Sequence, residues 1–331
     1  MKNILFIGGT GYIGGPILSR FIERNDPDVS ITALVRSPEK AKKLESLDVR
    51  VNVVMGTHND APLVERLVTD ADVVFSMADC DDLQAVESIL RGHKKRFMAT
   101  GVKPVLIHMS GTGCLGDDAQ GMFASDTVYS DLDIPAIEAL PATQSHRHVD
   151  LPIVAADAEG YVDSYIVIPG VVYGTPRGIL ADAGIQNAIN FAWAGLIRIA
   201  FKRGAAGIVG EGRNLLAHVD VTEVADLVAL LYDAVQVGRA AHGREGYYFA
   251  DNGAIEFARI VEVIEARAGA RRVLTQAELD EYFPGAVSFH RFLGDNGRSD
   301  SARGRALGWA PVKGTQDLLT ALRSEVDSWQ V

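Results

Sequence analysis

The opening segment of the chain constrains its fold more than any other feature of the sequence. Residues 3–15 read NILFIGGTGYIGG, in which an apolar run is followed by Gly8, Gly11 and Gly14 and then by a helical pattern. In such a turn the first glycine permits a tight turn off a strand, the second lets the backbone approach a pyrophosphate, and the third allows a helix to pack closely on the strand. The helix N-terminus offers unpaired N–H groups to the anion. The segment therefore predicts a strand, turn and helix that bind a dinucleotide.

The remainder of the first half has the pattern of parallel strands joined by crossover helices. Most of its short β-branched runs are apolar without alternation, which is typical of strands covered on both faces. The predicted strands are residues 3–7, 30–35, 51–55, 72–76, 104–109 and 164–168, and the predicted helices are 12–24, 38–44, 61–69 and 83–100. This order predicts an α/β protein with a Rossmann-type, doubly wound parallel sheet.

The second half has a less regular pattern, in which helical segments alternate with glycine-rich connectors. The predicted helices here are residues 178–203, 222–237, 255–268, 276–283 and 315–329. We interpret residues 1–175 as a dinucleotide-binding Rossmann domain and residues 176–331 as a smaller, mainly helical region that covers the substrate. Returns of the chain to the central sheet are expected around residues 206–225.

The acidic balance of the chain excludes several classes of partner. The 331 residues include 43 acidic and 32 basic side chains, which gives a net charge of −11, and no stripe of Lys and Arg occurs. This distribution argues against binding to a phosphate backbone, so we expect no nucleic-acid partner. The longest apolar stretch, residues 185–201, is interrupted by polar residues and is shorter than the roughly 20 apolar residues of a membrane span, so we expect no membrane partner.

Cysteine usage indicates a reducing compartment. Cys80 and Cys114 are the only cysteines, and residues 1–7 lead directly into the first strand without a separate hydrophobic region and cleavage site. We therefore expect a cytoplasmic protein. Aspartates flank Cys80 within residues 79–82, but no cysteine or histidine at zinc spacing accompanies them. We expect a capped helix start at this place and no metal site.

The end of the second predicted strand indicates which dinucleotide the turn takes. Arg36 and Ser37 stand where an acidic residue would accept the ribose hydroxyls of NAD. Arg36 can make a bidentate, charge-assisted pair with a 2′-phosphate, Ser37 can donate a hydrogen bond to it, and Lys40 can add a positive charge one turn later. The sequence therefore favours NADP as the cofactor, with NAD as the alternative.

Further motifs carry a family resemblance along nearly the whole chain. They read DADVVFS at 70–76, VLIHMSGT at 105–112, IPGVVYG at 168–174, GEGR and HVDVTEVA within 210–225, and ALGWAP at 306–311. Together with the glycine turn, their order and spacing resemble the extended and atypical short-chain dehydrogenase/reductase superfamily, the NAD(P)-dependent epimerase/dehydratase group. The turn, the arginine segment and the resemblance together predict these cofactor contacts: Gly8, Thr10, Gly11, Tyr12, Ile13, Gly14, Arg36, Ser37, Lys40, Met77, Ala78, Ser110, Pro169, Val171 and Val172.

The chain departs from this superfamily at the catalytic dyad. Redox-active members carry Tyr-x-x-x-Lys on the helix before the sixth strand, but no tyrosine of this chain is followed by lysine four residues later. The best register pairs Thr143 with the tyrosine and Arg147 with the lysine. A shift of one or two residues brings in His146 or His148 instead.

Candidate catalytic groups lie in this segment and after the fifth strand. His146 or His148 can supply an acid or base, because imidazole titrates near neutrality and is the most frequent proton-transfer side chain. The alternative for both histidines is a surface or helix-capping role. Ser110 and Thr112 are candidates for binding the reacting oxygen, or else they satisfy backbone groups in the turn. Arg147 completes the set of predicted catalytic residues.

Two classes of function follow from these observations. The first is an NADP(H)-dependent oxidoreductase that transfers hydride to or from a small carbonyl or alcohol and uses a proton donor other than tyrosine. The alternative is a non-catalytic NADP(H)-binding redox sensor or scaffold, which the missing dyad favours. A sugar-nucleotide epimerase or dehydratase is implied by the resemblance but needs the same tyrosine. The region that covers a small-molecule substrate favours the enzyme, and a homodimer is a further expectation.

Overall fold

The computed structural model describes residues 1–284 and 287–329. Its strands are β1 (Lys2–Ile7), β2 (Val29–Val35), β3 (Val51–Met55), β4 (Val73–Ser76), β5 (Val105–Met109), β6 (Tyr129–Ser130), β7 (Asp163–Pro169), β8 (Val171–Tyr173), β9 (Gly207–Ile208), β10 (Leu215–Asp220), β11 (Tyr247–Ala250), β12 (Ala254–Glu256), β13 (Arg272–Val273) and β14 (Ser299–Asp300). Its helices are α1 (Gly14–Arg24), α2 (Pro38–Ser46), α3 (Ala61–Thr69), α4 (Leu83–Thr100), α5 (Ile134–Glu138), α6 (Arg147–Ala158), α7 (Ile179–Asp182), α8 (Phe191–Arg203), α9 (Val221–Gln236), α10 (Phe257–Ala268), α11 (Gln276–Tyr282), α12 (Val287–Gly294), α13 (Ala302–Ala306) and α14 (Thr315–Ser328). Short 3₁₀ turns cover Thr112–Leu115 and Gly243–Glu245.

A seven-stranded sheet in the order β11-β7-β5-β4-β1-β2-β3 forms the centre of the molecule. Each neighbouring pair of these strands is parallel. Helices connect the strands and pack on both faces of the sheet, so the predicted Rossmann-type, doubly wound fold is confirmed.

Two apolar layers bury the central sheet. On one face Phe6 of β1 stacks on Phe75 of β4 with ring centroids 4.5 Å apart, and Phe21 of α1 packs edge-on against both rings. On the other face Leu5 and Val74 belong to a core that includes side chains of α3 and α4. Because both faces are covered, β1 and β4 read as continuous apolar runs rather than as alternating ones.

The order of the strands creates the crevice in which the glycine turn lies. The chain leaves β1 toward β2 on one side and later returns to place β4 on the other side, so the connections diverge at the carboxyl ends of β1 and β4. Ligands of open α/β sheets bind at such a switch point. Asp82 caps the helix that follows β4, because its side chain accepts a hydrogen bond from the backbone N–H of Ala85 at 2.9 Å.

The second half of the chain builds its own layer and also returns to the central sheet. Strands β8, β10 and β12 form a three-stranded sheet that shares a core with α8, α10 and α14. The strand that returns is β11, which pairs with β7 at the sheet edge. The expected return around residues 206–225 is wrong as a strand assignment, because β10 in that range pairs with β8 and β12 instead.

Two differences between the predicted and the observed helices bear on the site. The single helix predicted over residues 178–203 is divided into α7 and α8, because Asn190 caps α8 by accepting hydrogen bonds from the backbone N–H groups of Ala192 and Trp193 at 2.7 and 3.4 Å. Helix α6 is missing from the predicted set. It contains Pro152, a residue that usually argues against a helix interior.

The longest apolar stretch of the sequence forms a loop and the 13-residue helix α8. Within residues 1–284 and 287–329, no helix has both the length and the apolar character required to cross a membrane.

Candidate functional site

The glycine turn has the backbone shape that its sequence predicts. Gly8 adopts a φ of +86°, and a Cβ atom built on it lies 2.5 Å from the backbone of Met77. A Cβ on Gly14 collides with the carbonyl oxygen of Gly8. A Cβ on Gly11, in contrast, has only that oxygen nearby, at 3.1 Å. Packing therefore requires Gly8 and Gly14, whereas Gly11 borders open space just before Ile13, the N-cap position of α1.

Side chains from distant segments fasten this turn. Lys40 Nζ donates hydrogen bonds to the carbonyl oxygen of Thr10 at 3.2 Å and to Asn187 Oδ1 at 2.7 Å. The backbone N–H of Asn187 donates to the same Thr10 oxygen at 3.1 Å. The hydroxyl of Tyr12 donates to the carbonyl oxygen of Gly174 at 2.6 Å. The loop between α7 and α8 and the turn after β8 therefore form walls of the crevice.

Arg36 and Lys40, the cationic residues after β2, have different surroundings. Arg36 is exposed, and its side chain makes no hydrogen bond or ion pair within the part of the chain that the structure describes. Ser37 caps α2, and its Oγ accepts a hydrogen bond from the N–H of Lys40 at 3.3 Å, which leaves the hydroxyl hydrogen available. Lys40 is predicted to contact a phosphate, but here it binds Thr10 and Asn187. Its partial burial and the nearby Arg36 lower the pKa of Lys40.

The ends of β4 and β5 contribute a second part of the site. Met77 is buried and Ala78 is exposed, and the backbone of both borders Gly8. Ser110 Oγ donates a hydrogen bond to Asp150 Oδ2 at 3.0 Å, and both side chains are buried. Burial raises the pKa of Asp150 to about 6, against the opposing effects of His146 and Ser110. The hydroxyl hydrogen of Ser110 is therefore already engaged by a carboxylate.

His146 lies beside the backbone that follows β5. A Cβ atom built on Gly111 or Gly113 would lie 3.2 or 2.9 Å from its Nε2 atom. Its Nδ1 atom lies 2.8 Å from Asp81 Oδ1 and 3.4 Å from Cys80 Sγ. Burial favours the neutral ring, but the hydrogen bonds to Asp81 and Cys80 outweigh this effect and raise the pKa of His146 well above its ordinary value. The near-neutral titration expected from the sequence is therefore wrong for this histidine.

The other residues of the 143–148 segment face different surroundings. Thr143 is exposed. Arg147 is buried, and its Nη1 atom donates a hydrogen bond to the hydroxyl of Tyr247 at 3.2 Å. His148 is exposed, with Nε2 lying 3.0 Å from the carbonyl oxygen of Asp81. The register that gives Arg147 the place of the lysine is thus not the one the geometry favours, because His146 is the side chain beside the β5 turn.

The remaining predicted contacts lie near the end of β7. Pro169 ends β7, and Val171 and Val172 begin β8, where they pair with β10 and are almost fully buried. The carbonyl oxygen of Val172 accepts a hydrogen bond from Asn190 Nδ2 at 2.5 Å. Thr112 begins the 3₁₀ turn after β5 and is partly buried.

Sequence reasoning missed Asp150 and the partners of His146. Asp150 follows His146 by one helical turn, a signal that is usable only once α6 is recognised as a helix. Asp81 lies 65 residues before His146 in the sequence, so no local spacing reveals their contact.

Two surface cavities of the protein lie away from this site. One of about 760 Å³ lies between α1, α9 and residues 308–312, and another of about 640 Å³ lies between α3 and α4. Neither is lined by the glycine turn or by His146. Polar groups converge at the carboxyl ends of β1, β4 and β5, and this convergence, rather than cavity size, marks the candidate functional crevice.

Comparison with known proteins gives one family match and several relatives. Residues 1–95 match the NmrA-like family. Oxidase ucsJ of Acremonium sp is 28% identical over 336 residues, which cover 94% of this chain and 93% of that protein.

Solved structures share the fold along the whole chain at low sequence identity. The dTDP-glucose 4,6-dehydratase DesIV of Streptomyces venezuelae, solved with NAD and TYD bound, has a TM-score of 0.66 at 16% identity and covers 98% of this chain and 97% of that chain. The UDP-glucose 4-epimerase of Thermotoga maritima, solved with UDP-glucose, has a TM-score of 0.62 at 15% identity, with 98% and 97% covered.

Proposed function

We propose that this chain is an NADP(H)-dependent oxidoreductase with the fold of the extended short-chain dehydrogenase/reductase superfamily. Its N-terminal part, residues 1–95, matches the NmrA-like family. Its substrate is a small carbonyl compound or alcohol. The relatedness to an oxidase over 94% of the chain supports redox chemistry in general. The cofactor preference and the substrate class rest on the residues of the crevice.

The observation that carries the proposal is the open space at Gly11. This residue lies where the backbone approaches a pyrophosphate in a dinucleotide-binding turn, and a Cβ there has a single close neighbour in the structure. Helix α1 begins directly after this turn with Gly14, Gly15 and Pro16. The N–H of Gly15 donates to the carbonyl oxygen of Gly11 at 3.1 Å, whereas the N–H groups of Ile13 and Gly14 have no acceptor among the described residues and can serve an anion there. The turn residues 8–14 therefore fit the pyrophosphate, and the backbone of Met77 and Ala78 borders this turn at Gly8.

The exposed guanidinium of Arg36 supports NADP rather than NAD. Within the described residues, this guanidinium makes no hydrogen bond or ion pair, so it can pair with a 2′-phosphate. Ser37 retains a hydroxyl hydrogen for the same phosphate. Lys40 contributes its charge from the neighbouring turn of α2 while it holds Thr10.

His146 is the group that we assign to the reacting oxygen. Bound NADP(H) supplies the hydride donor or acceptor. The Nδ1 atom of His146 is held by Asp81, which leaves Nε2 beside Gly111 and Gly113 at the carboxyl end of β5. From there the ring can donate a hydrogen bond to a substrate oxygen, the task of the tyrosine that this chain lacks. Ser110 contributes an acceptor oxygen, because its hydrogen is directed to Asp150.

Turnover with purified protein tests this proposal. NADPH binding is first measured by calorimetry, and NADPH consumption is then screened against aldehydes, ketones and quinones. For a substrate that is consumed, His146→Ala is expected to lower kcat by about 10²–10⁴-fold with little change in NADPH affinity. His148→Ala is the matched control, since this exposed ring bonds only to a backbone oxygen, and it should retain most of the activity.

The alternative of a redox sensor gives a different result in the same experiment. If the protein is a sensor, NADPH binding changes the thermal stability or the assembly of the protein, but no substrate from any class is consumed. Full activity of His146→Ala with an accepted substrate would instead keep the oxidoreductase and remove His146 from its mechanism. A cytoplasmic location and a homodimer stay predictions from the sequence.

A further inference from the structure

A thiol, a carboxylate and an imidazole meet at the carboxyl end of the central sheet. His146 Nδ1 lies 3.4 Å from Cys80 Sγ and 2.8 Å from Asp81 Oδ1. The three donor atoms all lie within 4.8 Å of one another, and each residue is partly buried. Hydride transfer as proposed above makes no use of the thiol, so this grouping calls for an explanation of its own.

Two separate backbone features bring these donors together. In the loop after β4, Asp79 Oδ1 accepts a hydrogen bond from the N–H of Asp81 at 2.9 Å. At the start of α6, His146 has a φ of +66°, a left-handed conformation that residues with side chains rarely adopt. The absence of side chains at Gly111 and Gly113 leaves room for the ring. The ring is thereby held with Nδ1 toward the other two donors.

Contrary to the expectation from the sequence, which has no histidine at zinc spacing near Cys80, we propose that Cys80, Asp81 and the distant His146 bind a zinc ion. Thiolate, imidazole and carboxylate are the side chains that zinc takes, and a sulfur donor argues against magnesium or calcium. Bonds of about 2.3 Å to sulfur and about 2.0 Å to nitrogen at a tetrahedral angle place the two donors about 3.5 Å apart. The observed distance between Cys80 Sγ and His146 Nδ1 is 3.4 Å.

The carboxylate needs a small movement to join this arrangement. Asp81 Oδ1 now lies at hydrogen-bond distance from the ring nitrogen, and a tetrahedral site separates such atoms by about 3.3 Å. The side chain of Asp81 is 35% exposed, so it has room to move outward by this amount. The backbone of its loop is held by the hydrogen bond from the N–H of Asp81 to Asp79 Oδ1 at 2.9 Å.

Three protein donors make this an open site rather than a closed structural one. The fourth position of a tetrahedral zinc ion is then taken by water or by an oxygen of a small ligand. Because the site lies at the carboxyl ends of β4 and β5, next to the glycine turn, that ligand would be in the same crevice as the proposed substrate. The zinc site itself does not depend on the proposed hydride transfer.

A second cluster of ligand residues provides an internal comparison. Asp157, Asp163 and His242 lie at the opposite, amino-terminal end of β7. Lys103 Nζ lies 3.3 Å from Asp163 Oδ1, so an ammonium group already neutralises part of this charge. This cluster has no thiol, and a metal bound there would lack any sulfur ligand.

Cobalt(II) distinguishes the two clusters, because only a cobalt–thiolate bond gives a charge-transfer band in the near ultraviolet. Metal-free protein without NADP(H) is titrated with Co²⁺ and then with Zn²⁺. We expect one thiolate-ligated cobalt per chain, which zinc displaces. Cys80→Ser should remove the band, and His146→Ala and Asp81→Asn should weaken zinc binding. Changes outside the ligand shell already cost about 10–100-fold in metal affinity, so loss of a ligand should cost at least about 100-fold.

Two control variants complete the experiment. Cys114→Ala removes the other thiol, which is buried, and His242→Ala removes the second cluster. Both should retain the cobalt band and the zinc affinity, while circular dichroism verifies that every variant is folded. Zinc binding that Cys80→Ser leaves unchanged, or a cobalt spectrum without a thiolate band in the wild type, would overturn the proposal. Neither result bears on NADPH binding, so the proposed function is tested separately.

Discussion

Arg36 shows how far a single residue can be interpreted from sequence. Its place after a strand and the missing acidic residue predict a phosphate contact, and its exposed side chain makes no hydrogen bond or ion pair within residues 1–284 and 287–329. Lys40 carries the same predicted role but is engaged by Thr10 and Asn187. Asn187 lies 147 residues further along the chain, so the sequence alone gives no indication that the charge is engaged.

We expect cofactor preference to depend on Arg36, and the reversal of this preference is the first prediction. Arg36→Asp should weaken NADP(H) binding by about tenfold to a hundredfold, because a charge-assisted pair is worth about 1.5–3 kcal/mol and a carboxylate repels the 2′-phosphate. NAD(H) binding should be retained or improved. Lys42→Asp makes the same charge change on the exposed side of α2 and is the control. Calorimetric titration with both cofactors measures the result, and equal NADP affinity of Arg36→Asp and wild type would contradict this assignment.

His93 is a buried histidine in the middle of α4, far in sequence from the crevice. It is fully buried, and neither ring nitrogen has a hydrogen-bond partner in the described structure. Burial, with a smaller contribution from Arg96, lowers the pKa of His93 to about 3 from an ordinary value of 6.5. The unfolded chain therefore binds one more proton than the folded protein between these pH values. Stability from this group is fully present above pH 6.5 and is lost as the pH falls toward 3.

The prediction for His93 concerns this acid sensitivity. Relative to His93→Leu, the wild type should lose up to about 1.4 kcal/mol of unfolding free energy for each pH unit below the ordinary histidine pKa. Other titrating groups are common to both proteins and cancel in the difference. Urea unfolding at pH 7.0 and pH 5.0 gives the two values. A stability difference that is the same at both pH values would mean that the ring is protonated in the folded protein.

At the scale of elements, sequence patterns predict the ends of a strand or helix most reliably where the signals for those ends are local in the sequence. Strand β3 and helices α3 and α4 end at the predicted residues, because their apolar runs and caps are local. Helix α6 is missed because Pro152 lies inside it. The sequence pattern does not predict the loop between α7 and α8, because the residues of this loop contact the glycine turn rather than a helix neighbour. Gln186 packs against Gly15, and the N–H of Asn187 donates to the carbonyl oxygen of Thr10.

The glycine turn gives a prediction at this scale. Gly11→Val should abolish NADPH binding, because its branched side chain occupies the space where backbone and pyrophosphate meet. The protein should remain folded, since Gly11 has an ordinary backbone conformation and a Cβ there is 3.1 Å from its one close neighbour. Gly11→Ala should give an intermediate loss. Thermal unfolding and NADPH fluorescence measure both effects, and unchanged NADPH binding by Gly11→Val would show that the pyrophosphate lies elsewhere.

At the scale of the whole molecule, the two halves of the chain are interleaved. The predicted division at residue 175 separates a dinucleotide-binding part from a substrate-covering part, but α9 and β11 lie beyond it and complete the first part. Strand β11 covers the edge of β7, and Tyr232 of α9 packs edge-on against Phe21 with ring centroids 4.9 Å apart. Sequence patterns do not reveal this return, because β11 is a run of four residues.

The last prediction follows from this interleaving: a fragment of residues 1–175 should not fold by itself. This fragment lacks the side chains that α9 contributes to the main core, among them Val224, Leu227, Val228, Leu231 and Tyr232. Each buried side chain of this kind contributes about 1.5–3 kcal/mol, so five of them contribute roughly 7–15 kcal/mol. A typical domain is stable by only about 5–15 kcal/mol. The fragment also exposes the edge of β7, an unpaired strand that favours aggregation.

Urea unfolding and near-ultraviolet circular dichroism compare this fragment with a longer one, residues 1–252, which retains α9 and β11. The shorter fragment should show no cooperative transition and no NADPH binding, whereas the longer one should recover part of both, because it restores the sheet edge and the face of α1. Cooperative unfolding of the 1–175 fragment with NADPH binding of full strength would show that α9 and β11 contribute little to the first part of the molecule. Residue 175 would then be a true domain boundary, and the packing of α9 on α1 would be a contact between independent units.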